Sequence, residues 1–387
     1  MKLLSISTSG YRNLAGETLE LSDGINLLYG NNAAGKTNTL EGAYVFASGR
    51  CFKARQESEV IKVGESTAKA DIVIDRDGYR EDMTAIWHNS REKGYIKRLL
   101  YRGSEVSKVS EFLGIFRAVL FTPDHLNLIK GGPEERRKLM DVALSQMSPK
   151  YVYCMNCYNK ILSQKNAYLK RLCAGEKCDD EYLGTINEQL AKAAAVIIKQ
   201  RSGFADLLKS FASVIYSKIS DSKEALDIKY ISATKRDFSD TEYTEKRLFE
   251  IFSLDKESEI RGARVIHGPH KDDLMIYINR GKVNESAENG YKIGELAART
   301  FGSQGQQRSA VLALKLAEGE ICNNITGEYP VFLFDDLLGE LDTKRRRKLM
   351  ELIKDRQVLI TCCDREAMPD LAKVSAVKVE NGRYIRE

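Results

Sequence analysis

The chain has 387 residues, 43% of them hydrophobic, which is enough for two or three units of roughly 150 residues with a sizeable core. Its 60 basic and 55 acidic side chains leave a net charge of +5, which permits a local basic face for nucleic acid without demanding one. No run reaches the ~18 apolar residues of a membrane span, and MKLLSISTSGYRNL lacks the apolar core of a signal peptide, so the expected location is the cytoplasm.

The first third alternates strand and turn signals. Residues 3–7, 18–21 and 25–29 read as strands, followed by a helix from about 36 to 47. Strands return at 68–75, 83–88, 95–101 and 117–121, separated by glycine and charged turns. From about 133 to 220 the pattern is helical. Pro133 opens it, with Glu134 and Glu135 in the first turn, where the helix dipole favours anions. Two longer helices, 149–174 and 180–219, flank the polar break AGEKCDD, which reads as a helical-hairpin arm too short for a long coiled coil. Strand signals at 225–232 and 274–279 precede a helix from about 303 to 322. Pro330 leads into the apolar run VFLF, suited to a central parallel strand; a helix over 343–354 and the buried strand VLITCC follow. The expectation is an α/β fold: a discontinuous P-loop lobe from 1–125 and 300–387, and a helical arm with a second lobe from 126–299.

The most specific motif is Gly30-Asn31-Asn32-Ala33-Ala34-Gly35-Lys36-Thr37, which fits G-x-x-x-x-G-K-[ST] between a strand and a helix. Gly30 and Gly35 let the backbone wrap a phosphate with its N–H groups inward. Lys36 is expected to reach the β- and γ-phosphates of ATP, and Thr37 to offer its hydroxyl to Mg²⁺. The bland alternative is a glycine-rich strand-to-helix turn.

A second motif ends the VFLF strand with Asp335 and Asp336. Strand ends of this kind carry ligand groups at the carboxyl edge of α/β sheets. Asp335 is expected to hold Mg²⁺, and Asp336 to orient or activate the attacking water; solvated turn carboxylates are the alternative. A third segment, Ser303-Gln304-Gly305-Gln306-Gln307-Arg308, opens a helix. Ser303, Gly305 and Gln306 form a candidate anion site at that helix start, against an ordinary serine-capped helix.

The order of these motifs resembles the ABC/SMC-type ATPase heads, with Ser303 to Gln306 standing as the signature motif and Gly339-Glu340-Leu341-Asp342 as the D-loop. GNNAAGKTNTLEGAY, LFTPDHLNLIKGGPEERRKLMD, HGPHKDDL, FGSQGQQRSAVLALKLAE and FLFDDLLGELD are, within those heads, similar to the RecF family. The resemblance implies a two-lobed head with a short arm, slow hydrolysis of ATP, and an ATP-dependent homodimer in which the signature segment faces the γ-phosphate on the opposing copy. It further implies binding to double-stranded DNA and duplex/single-strand junctions, nucleoid association, and partnership with RecR and through it RecO to load recombinase on gapped DNA. Two departures stand out. Ala33 occupies a position where SMC heads usually carry Gly, and the strand after the D-loop ends Thr361-Cys362-Cys363-Asp364, without the switch His of ABC transporters. A nucleotide-gated adaptor with negligible hydrolysis and a transport-type ABC subunit are the competing readings.

Other residues leave alternatives open. Arg12 and Asn13 read as a phosphate-facing pair or a solvated turn. His267 and His270, around Gly268-Pro269, have no assigned chemistry beyond a structural turn. Lys344-Arg345-Arg346-Arg347-Lys348 reads as a solvated or interface face or as a DNA patch, and Lys130, Arg136, Arg137 and Lys138 as comparable phosphate contacts. Cys154, Cys157, Cys173 and Cys178 have thiol ligands for zinc, but the first two lie in a continuous helical pattern without a knuckle turn.

Overall fold

In a computed structural model the described residues are 1–90, 94–220, 224–234, 238, 240–280, 296–368 and 374–386. They form two compact units, one from Met1–Leu126, Val214–Glu224 and Ser303–Glu387, the other from Asn127–Ser213 and Ala225–Gly302.

The first unit holds two six-stranded sheets. One is antiparallel throughout, in the order Thr18–Glu20, Lys2–Ser9, Thr67–Arg76, Tyr79–Ser90, Gly94–Tyr101 and Ser104–Glu105. The other runs Arg383–Arg386, Val374–Glu380, Ile25–Tyr29, Val358–Cys362, Val331–Phe334 and Ala118–Phe121, parallel except for its first strand. Its strands INLLY, VLITC and VFLF, and the edge strand AVLF, are buried almost end to end, as a parallel sheet covered on both faces requires.

Helix Lys36–Ser48 packs against strands of both sheets. That explains why ten of its thirteen residues are buried and why it carries no polar stripe. Helix Gln304–Thr326 lies so close to the strand Val331–Phe334 that a Cβ on Gly319 would sit 2.2 Å from Phe332. The glycine costs about 1 kcal/mol of helix propensity, and the contact accounts for its place there. The helix runs past the expected end near Cys322 to Thr326, where Gly327 caps it at φ 76°.

Helix Pro149–Cys173 and helix Asp180–Ser220, the latter belonging to the second unit up to Ser213, make the expected hairpin. Tyr151 bonds Arg201 near one end, and Tyr168 stacks edge-on with Tyr182 near the other, so the two run antiparallel. A three-stranded sheet in the order Leu296–Ala297, Asp273–Arg280 and Glu224–Ile231 accompanies them. Helices Thr241–Leu254 and Lys256–Gly262, and the terminal hairpin Val374–Glu380 with Arg383–Arg386, were not expected from the sequence. The first of these buries only Thr244, Leu248 and Phe252 in a charged segment, and the hairpin strands are short, so their periodic signal is weak.

Candidate nucleotide-binding site

Strand Ile25–Tyr29 delivers the loop at the carboxyl edge of the parallel sheet. Gly30 and Gly35 take φ of 144° and 116°, conformations open to glycine, and Ala33 turns at φ 64°. A side chain on Gly30 would lie 2.3 Å from the Val379 carbonyl oxygen. Lys36 is buried and folds back over the loop, donating to the carbonyls of Gly30 at 2.6 Å and Asn31 at 2.8 Å. A buried ammonium needs such partners, and phosphate oxygens are stronger acceptors of the same three N–H bonds.

The parallel register carries Asp335 and Thr361 to that same edge, since Phe334 pairs with Ile360. The hydroxyl of Thr37 donates to Asp335 Oδ1 at 2.6 Å, and that of Thr361 donates to the same oxygen at 2.9 Å. Thr361 in turn accepts the amide N–H of Asp336. Asp336 sits at φ 50°, a left-handed conformation that Asp tolerates better than most residues. Partial burial, with the neighbouring Asp335 charge, pushes its carboxyl above the usual range, while Lys36 pulls it back.

These groups line a cleft of about 300 Å³, the lower end of the size range of small-ligand sites. Asn13, Lys53 and Cys363 line it too. Lys53 escaped sequence reading, since CFKAR carries no motif and only the fold turns it toward the loop. Asn13 ties the loop down from outside, donating to the Ala33 carbonyl at 2.7 Å and accepting from Asn38 at 2.7 Å. Arg12 is neither solvated nor aimed at the cleft: it forks onto the buried carboxylate of Glu41 at 2.8 and 3.0 Å.

Ser303, Gly305 and Gln306 do not line this cleft. Ser303 is the exposed N-cap of helix Gln304–Thr326, in a reciprocal capping box with Gln306. The Gln306 amide also reaches Glu224. Arg345 lies against Gly305, 3.2 Å from where its Cβ would be, and donates to Ser309 at 2.9 Å. Arg346 donates to the carbonyls of Leu338 and Leu341, and Lys348 to that of Ile219. Three of the five residues in this basic run therefore hold the fold.

In the second unit, Gly268, Pro269 and Asp272 of the HGPHKDD segment are buried while Lys271 is exposed. Arg201, 2% exposed, donates to Asp141, Tyr151 and the Pro269 carbonyl. Tyr158 and His270 Nδ1 are 2.6 Å apart. Arg136, 7% exposed, forks onto Asp273 at 2.7 and 2.9 Å, and Arg137 donates to the Asp272 carbonyl. Arg136 and Arg137 are thus structural, not the surface phosphate contacts considered above. Burial lowers the His270 pKa to about 4 and raises that of Asp272 to about 6. Among the described residues, no group of three or more His, Cys, Asp or Glu is placed to hold a metal ion, and no helix is long and apolar enough to cross a membrane.

The family model for the RecF/RecN/SMC N terminal domain matches residues 2–385. The DNA replication and repair protein RecF of Enterococcus faecalis is 33% identical over 390 residues, covering 98% of this chain and 99% of that protein. That of Staphylococcus carnosus is 35% identical over 366 residues, 93% of each. A solved structure of the recombination mediator protein RecF with ATP, in the RecFOR pathway, superposes with a TM-score of 0.87 at 31% identity, covering 100% of this chain and 97% of that one. An Smc head bound to the C-winged helix domain of ScpA shares the fold, at a TM-score of 0.56 and 16% identity over 100% and 96% of the two chains. With an ABC/SMC-type ATPase head, a P-loop beside paired aspartates, and relatives matched over nearly the full length, the chain belongs to the RecF family of DNA replication and repair proteins.

Proposed function

We propose that this chain is an ATP-dependent DNA-binding protein of recombinational repair and replication. It engages duplex DNA and duplex/single-strand junctions as an ATP-sandwiched dimer, hydrolyses ATP slowly, and helps load recombinase on gapped DNA with RecR and RecO. One observation carries the reading: Lys36, Thr37, Asp335 and Asp336, separated by some three hundred residues in sequence, converge on one cleft.

The loop from Gly30 to Gly35 wraps the β-phosphate with its amides, and Lys36 exchanges the carbonyls of Gly30 and Asn31 for β- and γ-phosphate oxygens. The oxygen donors Thr37 and Asp335, already 2.6 Å apart, suit a hard divalent cation such as Mg²⁺. Bound there, Mg²⁺ supplies neutralisation of the phosphate charge. Thr361 fixes both aspartates, donating to one and accepting from the backbone of the other. Asp336, its pKa raised, takes a proton from the attacking water. Thr361 and Cys363 end the strand where a transport ATPase has its switch His, which fits slow turnover and weighs against the transport reading.

Ser303 is exposed at a capped helix start outside the cleft, and so is free to meet a γ-phosphate held by a second copy. To move the dimer from rare to dominant, the triphosphate must favour it by about 5.5 kcal/mol over the diphosphate. Sedimentation with ATP or ADP, with and without gapped duplex DNA, tests the whole reading. The expected result is a dimer with ATP that co-sediments with DNA, and a monomer with ADP; monomers under all conditions would overturn it.

A further inference from the structure

Among the described residues are three two-residue hairpin turns of one kind, Asp77–Gly78, Arg102–Gly103 and Asn381–Gly382, all left-handed at both positions. At Gly78 and Gly103 an added Cβ would meet nothing within 4 Å. At Gly382 it would lie 2.2 Å from the Asn13 carbonyl oxygen and 2.9 Å from the Leu14 Cα. The first two are ordinary surface turns, whereas the third is pressed into the wall of the nucleotide loop.

Its hydrogen bonds have a direction. The Gly382 N–H donates to the Ala34 carbonyl at 2.9 Å, and its own carbonyl accepts from Ala15 at 3.0 Å. Two residues on, the Tyr384 hydroxyl is 2.8 Å from that of Thr39, which donates to the Gly35 carbonyl at 3.2 Å. Glu17 accepts the Tyr384 N–H at 2.9 Å and keeps the strand in place. The Ala34 carbonyl is therefore secured by the hairpin directly, whereas the Gly35 carbonyl is held by Thr39, through its N–H at 3.0 Å and through the hydroxyl that Tyr384 touches. In a trans peptide the C=O and the following N–H point in opposite directions. Securing the Ala34 carbonyl turns the N–H group of Gly35 away from the hairpin, and Gly35 lines the cleft beside Lys36. Gly30 is fixed from the same strand pair, because Val379 leaves no room for a side chain there.

We propose that the terminal hairpin is a strut that sets the affinity for ATP, with Gly382 and Tyr384 as positioning residues that hold the loop's amides in their phosphate-binding orientation before ATP arrives. This rests on the reading that the P-loop binds ATP, and it adds that a loop with every motif residue intact binds weakly once the hairpin is disturbed. Preorganisation of this kind reduces the ordering needed on binding.

The test compares Gly382→Ala, Tyr384→Phe and Gly78→Ala with wild type, by titration with fluorescent N-methylanthraniloyl-ATP and by thermal melting. Gly78→Ala carries the same backbone strain at a turn where an added Cβ meets nothing within 4 Å. Gly382→Ala is expected to raise Kd about tenfold or more, Tyr384→Phe about threefold as one hydrogen bond is lost, and Gly78→Ala by less than about twofold. Wild-type affinity in both hairpin variants, or equal weakening in Gly78→Ala and Gly382→Ala, overturns the strut. If Gly382→Ala does not fold, Tyr384→Phe decides, because it keeps the ring and removes only the hydroxyl. A wild-type protein that binds no ATP sinks the nucleotide-site reading instead.

Discussion

The candidate nucleotide cleft and the Arg201 cluster beside the HGPHKDD segment use the same side-chain types to opposite ends. In the cleft, Lys36 rests on loop carbonyls and Thr37 on Asp335, and in the proposed function a phosphate and a cation take over these partners. In the cluster, Arg201 is locked by Asp141, Tyr151 and Pro269 with 2% of its surface exposed, so its guanidinium has no face left for a ligand. Charge and hydroxyl content do not separate a binding site from a structural network; access to an exchangeable partner does. The contrast predicts that mutations in the cleft change ligand affinity at constant stability, and that mutations in the cluster do the reverse.

Lys36→Met tests the first half most severely. It should weaken ATP binding by about 100-fold or more, since several charge-assisted bonds are lost, while leaving the melting temperature near wild type. Isothermal titration calorimetry checks it, and unchanged affinity would place the nucleotide elsewhere. Arg201→Leu is the mirror experiment. It strands Asp141 beside a buried tyrosine and should cost about 3 kcal/mol in urea unfolding, with ATP affinity intact. A parallel loss of ATP binding would erase the distinction between the two regions.

Asp336→Asn refines the cleft itself. Hydrolysis should fall about 100-fold with ATP affinity within a few-fold of wild type, as read by single-turnover assay; a variant that keeps full turnover removes Asp336 from the chemistry. Ser303→Arg should keep ATP binding and lose ATP-dependent dimerisation by about tenfold or more, followed by light scattering, and a variant that still dimerises with ATP speaks against the sandwich.

The smallest effect belongs to the cluster and to pH. Burial lowers the His270 pKa from 6.5 to about 4, so the folded state binds fewer protons than the unfolded one. Its contribution is present above 6.5 and is lost as the pH falls toward about 4. Asp272, raised from 3.8 to about 6, works the other way, losing stability as the pH rises through that interval. The two oppose below about 6, so the net acid sensitivity is modest. His270→Asn should flatten the fall in melting temperature between about pH 7 and about pH 5; an unchanged slope would show that His270 is not the titrating group.

Much of the cleft was legible in the sequence because its motifs are short and their spacing is the chemistry. The run from Gly30 to Thr37 needs only a strand before it and a helix after it, and the Asp pair only a buried strand. The arm was equally plain, since two long helical patterns either side of a polar break leave few alternatives. The terminal hairpin was not, because VSAVKVE is a brief alternation whose role comes from pairing with a strand some three hundred and fifty residues away. The Lys-Arg run after the D-loop looked like a face, yet Arg345, Arg346 and Lys348 are spent on carbonyls and a serine of the same unit.

From sequence alone came the glycine-rich loop, the paired carboxylates and the order of most elements, all properties of neighbouring residues and their backbone preferences. Tertiary structure alone decided that Arg12 turns to Glu41, that Lys53 and Cys363 face the cleft, that His270 meets Tyr158, and that the last hairpin bonds to the first loop. The physical reason is that a parallel sheet joins strands distant in the chain, so which side chains meet at its edge depends on register and packing across hundreds of residues, which no local pattern records.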